Sequence, residues 1–156
     1  MQKKNYFLFV ICLIISYAVA GIGSLFTMPG VRSAWYQSVK PSLTPPDYVF
    51  GVVWNVLFLL IAFSLFFAWT SAKSPLDRKR ILYVYIIHFI ANIFWSIFYF
   101  TLHQPLLAFI DLVVVELSLV SIMLATWDDD RKVTWLLLPY LLWLCFAGLL
   151  NWMSIP

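Results

Sequence analysis

The feature that most constrains this chain is a set of five long apolar stretches, each nearly free of charged side chains. An α-helix rises about 1.5 Å per residue, so about 20 apolar residues cross the roughly 30 Å of hydrocarbon in a bilayer. The five stretches are close to that length and lie at residues 6–26, 46–72, 81–101, 106–127 and 133–152. The sequence therefore predicts an all-α membrane protein, a five-transmembrane-helix bundle that forms a single domain over residues 1–156.

The composition supports the same class. Of the 156 residues, 63% are hydrophobic and 11% are charged, and the mean hydropathy is +0.92. A soluble domain of this size would have to expose the surplus apolar surface to water as one large patch. This excludes a cytosolic enzyme, a nucleic-acid-binding protein and a disordered tail, and the expected surroundings are a lipid bilayer.

The basic residues predict an orientation. Eight of the ten Lys and Arg residues lie at the N-terminus and in the second and fourth loops, and only Arg32 and Lys40 lie on the other side. The positive-inside rule then puts the N-terminus in the cytoplasm, and the first loop (27–45) and the C-terminus outside. Ala18-Val19-Ala20 resembles a signal-peptide cleavage site, so cleavage after residue 20 is an alternative. We favour retention because the apolar run continues to Phe26.

The short connectors carry helix-start signals. Thr44-Pro45-Pro46-Asp47 and Ser74-Pro75-Leu76-Asp77 each offer an N-cap hydroxyl, a proline and a first-turn carboxylate. Pro105 opens the fourth stretch in the same way. The link 102–104 is so short that the third and fourth spans must be antiparallel neighbours.

Three of the eight tryptophans lie deep inside their spans. The residues Trp54, Trp95 and Trp143 are about seven to ten positions from the span end, a depth of roughly 10–15 Å. Four others stand at span ends and fit the aromatic belt of a membrane interface: Trp69, Trp127, Trp135 and Trp152. Three helices therefore present an indole at a similar depth.

Helical spacing places polar side chains on the same faces as two of these indoles. One face carries His88, Asn92 and Trp95, and another carries Tyr140, Trp143, Ala147 and Asn151. An amide or imidazole facing lipid would lack a hydrogen-bond partner, so both faces should point inward. The spacing fits an aromatic-lined cavity, and it equally fits aromatic side chains that simply fill the core.

The first loop would cover this region. It contributes Trp35 and Tyr36, the cations Arg32 and Lys40, and prolines that include Pro41. A cavity lined by aromatic rings beneath a basic cover suits a flat, largely apolar ligand with a few anionic groups.

The remaining reactive residues predict no catalytic constellation. Asp111 and Glu116 are about 140° apart on their helix, so they cannot act as a carboxylate pair, and we favour structural roles over a proton relay. His103 is expected to be a solvated loop residue. Cys12 and Cys145 are read as packing residues, and no spacing typical of a metal site is present.

The motif at residues 40–54, KPSLTPPDYVFGVVW, resembles the signature K-P-S-W-T-P-P-x-W-V-F-G-P-V-W of the translocator protein family. Members of this family are also called tryptophan-rich sensory proteins or peripheral-type benzodiazepine receptors. Two further blocks are similar, at residues 91–111 and 137–151. The chain departs from the family pattern at five positions that bear on ligand preference: Leu43, Tyr48, Val52, His88 and Glu116.

The resemblance implies a multi-pass protein of a bacterial cell membrane, a five-helix bundle that forms homodimers. Such proteins bind porphyrins such as protoporphyrin IX and benzodiazepine-type ligands, without a resident cofactor. The implied ligand site comprises Tyr36, Pro41, Trp54, His88, Asn92, Trp95, Tyr140, Trp143, Ala147 and Asn151. Arg32 and Lys40 are candidates to pair with the porphyrin carboxylates.

Two activities are compatible with this site. The resemblance to bacterial members implies light- and oxygen-dependent porphyrin degradation, for which Trp54 and Trp143 are the candidate catalytic residues. The alternative is transport or sensing of a porphyrin, or of another apolar metabolite, without chemistry. In a transporter, Asp111 or Glu116 would be the coupling group, although no inverted repeat supports a conventional carrier. The C-terminal cholesterol motif of the family's animal members is absent here, so we predict no specific cholesterol binding.

Overall fold

The computed structural model describes the backbone of residues 3–156 and the side chains from residue 5 onward. The side chains of Lys3 and Lys4, which enter the orientation count, lie outside the described residues. The helices are α1 (Lys3–Val31), α2 (Ala34–Val39), α3 (Asp47–Ser71), α4 (Pro75–Ser96), α5 (Pro105–Thr126) and α6 (Arg131–Met153), and a π-helical segment (Ile97–Thr101) continues α4. Five of them are long and apolar enough to cross a membrane. The predicted five-helix membrane bundle is confirmed.

The five long helices form a closed ring in the order α1, α3, α6, α5, α4. α4 and α5 are neighbours, as the short link between them predicts. Most of their buried side chains form one large cluster, to which α5 and α6 contribute the fully enclosed Val115, Leu119, Leu137 and Leu144, and a smaller cluster around Tyr99 lies at the α2 end. The helix α2 lies at this end of the bundle, where α1 ends and α3 begins, and we call it the α2 end.

The end of α1 differs from the prediction. The helix does not stop at Phe26 but runs through Pro29 to Val31, so the predicted loop 27–45 is shorter and also contains α2. The last turns of α1 pack on the π-helical segment: the Thr27 hydroxyl donates to Ser96 Oγ at 3.2 Å, and Gly30 is buried against Phe100. This packing outweighs the one backbone hydrogen bond that Pro29 removes near the helix end.

One of the two predicted N-caps is confirmed and the other is wrong. Ser74 Oγ accepts from the Asp77 amide at 3.1 Å, and Asp77 Oδ2 accepts from the Ser74 amide at 2.9 Å, a capping box that starts α4 six residues before the predicted span. Thr44 does not cap α3, because the N-cap position is Pro46 and no side chain bonds there. α1 starts three residues before the predicted span, the third span ends at Thr101 as predicted, and the remaining ends differ from the observed ones by one or two residues.

The outer surface of the bundle is apolar, as a bilayer requires. Several large aliphatic side chains on the outer faces of α5 and α6 are exposed, including Leu117 (63%), Leu124 (70%) and Leu142 (65%). Cys12 is buried, as expected of a packing residue, whereas Cys145 is exposed on α6. The expectation that Cys145 packs inside the bundle is therefore wrong.

Two glycines of α1 provide a matched test of the contact with the π-helical segment. A Cβ built on Gly30 would lie 2.5 Å from Phe100 Cβ, whereas a Cβ on Gly21 meets nothing within 4 Å. We expect Gly30→Ala to lower the free energy of unfolding by about 1–3 kcal/mol through overpacking. Gly21→Ala should leave it unchanged or raise it by up to about 1 kcal/mol, because alanine is the better helix former.

The measurement is unfolding in detergent micelles by graded denaturant, followed by far-UV circular dichroism. Equal stability of the two variants would contradict the close packing of α1 on Phe100.

Candidate ligand site in the aromatic core

Hydrogen bonds between side chains join the two polar faces predicted for α4 and α6. Asn92 Nδ2 donates to the Tyr140 hydroxyl at 2.7 Å, and Trp95 Nε1 donates to Asn151 Oδ1 at 3.0 Å. Asn151 Nδ2 donates in turn to the Pro105 carbonyl at 2.8 Å, which ties α6 to the start of α5. Each of these amides thus has a partner away from lipid, and the inward orientation of both faces follows.

The space between these residues is very small. Four of the predicted site residues, Trp54, Asn92, Trp95 and Ala147, line one central space together with Leu112, Val115 and Leu144. Its volume is about 10 Å³, room for one water molecule at most. The sequence left open whether the aromatic residues enclose a cavity or fill the core, and in this structure they fill it.

His88 is buried beside this cluster with one ring nitrogen unpartnered. Ser118 Oγ donates to the Val115 carbonyl at 2.8 Å, so it accepts from His88 Nδ1, 2.9 Å away. This assignment leaves Nε2 as the deprotonated nitrogen, and Nε2 has no hydrogen-bond partner. The imidazole edge meets the Tyr140 ring at 5.5 Å. His88 therefore presents an unused acceptor in a side chain that is only 1% exposed.

Trp143 lies on the other side of the α3–α6 contact from the central space. Its ring packs edge-on against Phe50, with 5.6 Å between ring centroids, and its Nε1 is buried without a partner. Trp54 packs edge-on against Tyr140 at 6.0 Å. The indoles of Trp54 and Trp95 thus share one space, whereas that of Trp143 borders a separate groove between α3 and α6.

A stack of aromatic rings connects the core to the α2 end. The Trp95 ring stacks on Tyr99 at 5.4 Å and 15°, and Tyr99 meets the buried Tyr36 ring at 6.3 Å. Burial, with smaller effects of Tyr99 and Asp47, raises the pKa of Tyr36 to about 12, so its phenol is neutral at physiological pH. Tyr36 therefore reaches the candidate site through Tyr99 and Trp95.

The candidate residues of the loops lie farther from the central space than those of the helices. Lys40 Nζ lies 3.1 Å from Asp47 Oδ1 and 5.6 Å from the centroid of the Tyr36 ring, so this cation already has an anionic partner. Arg32 is exposed, and Pro41 is partly buried in a turn that its carbonyl closes with the Thr44 amide. His103 is exposed as predicted, but it also stacks on Trp35 at 4.4 Å.

The carboxyl groups of α5 have different surroundings. Asp111 Oδ2 is buried without a hydrogen-bond partner. Glu116 Oε1 lies beside α6, 3.7 Å from where a Cβ on Gly148 would stand. The searched residues contain no group of three or more His, Cys, Asp and Glu side chains that could hold a metal ion.

Sequence reasoning missed Tyr99, Ser118 and Ser154. Tyr99 donates to Ser154 Oγ at 2.8 Å and supports the stack beneath α2. Its position four residues after Trp95 was an available signal, since side chains at that spacing share a helix face. Ser118 offered no signal, because its partner His88 lies on another helix whose register with α5 the sequence does not reveal.

The comparisons with known proteins indicate the same family over nearly the whole chain. The model of the TspO/MBR family matches residues 9–155. Tryptophan-rich protein TspO of Archaeoglobus fulgidus is 33% identical over 86% of this chain and 86% of its own, and the protein of the same name from Chlorobaculum tepidum is 30% identical over 96% and 95%. Human Translocator protein is 29% identical over 84% of this chain and 78% of its own. The chain therefore belongs to the TspO/MBR family, as the signature at residues 40–54 indicates.

Proposed function

We propose that this protein binds a flat tetrapyrrole, protoporphyrin IX or a close relative, at the aromatic core, and that benzodiazepine-type ligands bind at the same place. The observation that carries the proposal is the convergence of Trp54 and Trp95 on one central space, with Asn92 and Ala147 beside them. Indole rings stack on a planar macrocycle, and amides can bond to its polar edge. Similarity to human Translocator protein over most of the chain supports the same proposal.

Binding requires the core to open. Pockets for small molecules have volumes of about 300–1,000 Å³, far above the 10 Å³ of the central space. Ring-on-ring contacts such as Trp95 on Tyr99 would be exchanged for contacts between a ring and the ligand, each worth about 0.5–1.5 kcal/mol beyond the area buried. The unpartnered Trp143 Nε1 and His88 Nε2 favour this exchange, because a buried polar group without a partner costs about 1–3 kcal/mol.

The ligand carboxylates would be bound at the α2 end. Arg32 is exposed there, and Lys40 would exchange Asp47 for a ligand carboxylate. This exchange costs little, because an ion pair at a surface contributes only about 0–1 kcal/mol.

A titration in the dark tests the binding site. Trp54→Ala and Trp143→Ala should each raise the dissociation constant for protoporphyrin IX about tenfold, because each removes a ring that stacks on the ligand. The matched control is Trp135→Ala, which removes an indole of α6 that is 66% exposed. The measurement is the Soret absorbance of protoporphyrin IX added to protein in nanodiscs. Unchanged affinity in both core variants would remove the support for this site.

We further propose that the bound porphyrin is degraded under light and oxygen. An excited porphyrin activates dioxygen, and one O₂ adds across a carbon–carbon double bond at a meso position, which breaks to give two carbonyl groups. Both oxygen atoms end in the product, so no external reductant is needed. Trp54 and Trp143 would act by passing an electron to the excited ring and recovering it in the same cycle.

Illumination separates this chemistry from binding alone. At equal amounts of bound porphyrin in air, Trp54→Phe and Trp143→Phe should bleach the Soret band several-fold more slowly than the wild type, because phenylalanine is much harder to oxidise than tryptophan. Trp135→Phe should bleach at the wild-type rate. Equal bleaching in all four proteins would leave a binding protein that senses or transports the porphyrin.

The charge distribution supports an orientation with the α2 end away from the cytoplasm in a bacterial membrane, and the resemblance supports a homodimer. The basic residues of the α3–α4 and α5–α6 connections lie at the end opposite α2: Lys73, Arg78, Lys79, Arg80, Arg131 and Lys132.

Labelling of single cysteines tests this orientation. In a Cys12→Ala, Cys145→Ala background, an impermeant maleimide added to intact cells should label Gln37→Cys at the α2 end. Leu76→Cys, which is exposed at the opposite end, should react only after the cells are opened. The reverse pattern would contradict the orientation.

A further inference from the structure

The polar contacts between α3 and α6 are confined to the end opposite α2. There Lys132 Nζ lies 5.5 Å from the centroid of the Phe67 ring, and Lys73 pairs with Asp129 at 2.8 Å just beyond the helix ends. Among the described residues no hydrogen bond joins α3 to α6, although these helices are neighbours. Every other neighbouring pair is tied: Tyr17 to the Asn55 carbonyl between α1 and α3, Thr27 to Ser96 between α1 and α4, His88 to Ser118 between α4 and α5, and Asn151 to the Pro105 carbonyl between α6 and α5. Without such bonds, separating α3 from α6 leaves no hydrogen-bonding group unsatisfied.

The same contact carries an open apolar groove. The α3–α6 groove, lined by Val52, Val56 and Leu60 of α3 and by Pro139, Leu142 and Trp143 of α6, has a volume of about 460 Å³. Its rim faces outward, since Val52 is 63%, Val56 51% and Leu142 65% exposed. Apart from the Trp143 indole its lining carries no polar side chain, and its volume lies within the range of small-molecule pockets.

The groove and the central space are separated by very little protein. On α3, Val53 lines the groove and the next residue, Trp54, lines the central space. On α6, Trp143 lines the groove and Leu144 lines the central space. A displacement of these side chains would join the two spaces.

Pro139 adds a local weakness to α6 at the groove. Proline has no amide hydrogen, so the Trp135 carbonyl lacks its partner within the helix, and the helix bends more easily at this point. Trp143, one turn further along, has its Nε1 buried without an acceptor. The first polar group that an incoming ligand could satisfy is therefore this indole.

We propose that the α3–α6 groove is a bilayer-facing entry route along which a flat apolar ligand, dissolved among the acyl chains, reaches the aromatic core. The proposal rests on the proposed function and names the route and the ligand class. The ligand is hydrocarbon-rich and carries an acceptor for Trp143 Nε1. A charged group of the ligand cannot enter the groove first, because the lining has no charged side chain to compensate for the loss of that group's hydration.

Filling the groove tests the route. We expect Val56→Trp and Leu142→Trp to slow association of protoporphyrin IX about tenfold, as an obstructed route does, while the dissociation constant stays within about twofold because dissociation slows equally. The control is Leu117→Trp, which adds the same ring to the exposed face of α5, away from the groove. Rates are measured by stopped-flow Soret absorbance with protein in nanodiscs in the dark.

Three further substitutions keep the test decisive if the added tryptophan disturbs folding. The pair Val56→Ala and Leu142→Ala widens the groove and should accelerate association. Trp35→Ala loosens the cover at the α2 end, where Trp35 stacks on His103, and should leave the rate unchanged.

The outcomes separate the two proposals. If the wild type binds, unchanged rates in the groove variants, or faster association in Trp35→Ala alone, would overturn the lateral route and leave the binding function intact. A higher dissociation constant at an unchanged association rate would also contradict it. If the wild type shows no saturable binding, the proposed function fails and the route fails with it.

Discussion

In hydrocarbon, an amide, phenol or indole that faces lipid has no acceptor or donor to meet, so the polar side chains of the membrane helices must find one another. Here that requirement is met mainly by α4 and α6, through Asn92 to Tyr140 and Trp95 to Asn151. Lipid provides no hydrophobic force between helices, so these bonds and close packing hold the ring together. This pairing holds Trp95 and Tyr140 in place in the core.

Much of the fold could be predicted because its causes are local. Length and apolarity define the five spans, and Ser74 caps α4 because a proline and, three residues on, a carboxylate follow it. Thr44 carries almost the same pattern and fails, because Pro46 disfavours helical backbone at Pro45, so that α3 begins only after Pro46. The end of α1 depends on the contact between Gly30 and Phe100, and therefore on a π-helical segment that no periodicity in the sequence reveals.

In the candidate site, too, some features could be predicted from the sequence and others could not. Inward faces on α4 and α6 followed from the cost of leaving Asn92 and Asn151 unpartnered, and the structure brings both into hydrogen bonds. Whether the aromatic rings leave a cavity depends on side-chain positions at the scale of an ångström, which spacing cannot supply. The placement of Trp143 outside the central space depends likewise on the rotation of α6 against α3. Both properties arise from packing between elements distant in the chain.

The side-chain hydrogen bonds between helices also determine which motion of the bundle costs the least free energy. α4, α5 and α6 are linked to one another by side-chain hydrogen bonds, whereas α3 is bonded to α1 through Tyr17 and to α4 through Ser64 and Tyr85. The pair α1 and α3 can therefore hinge on α4, where Thr27 and Ser96 hold the α2 end, while the α3–α6 contact on the far side of the ring parts. Towards the α2 end such a motion breaks only apolar and aromatic contacts, which bilayer chains or an apolar ligand can replace. Lys132 over Phe67 and Lys73 with Asp129 hold the opposite end. The bundle buries its polar groups between the other helices. The α3–α6 contact, which no hydrogen bond crosses among the described residues, is therefore the side that can open to the membrane.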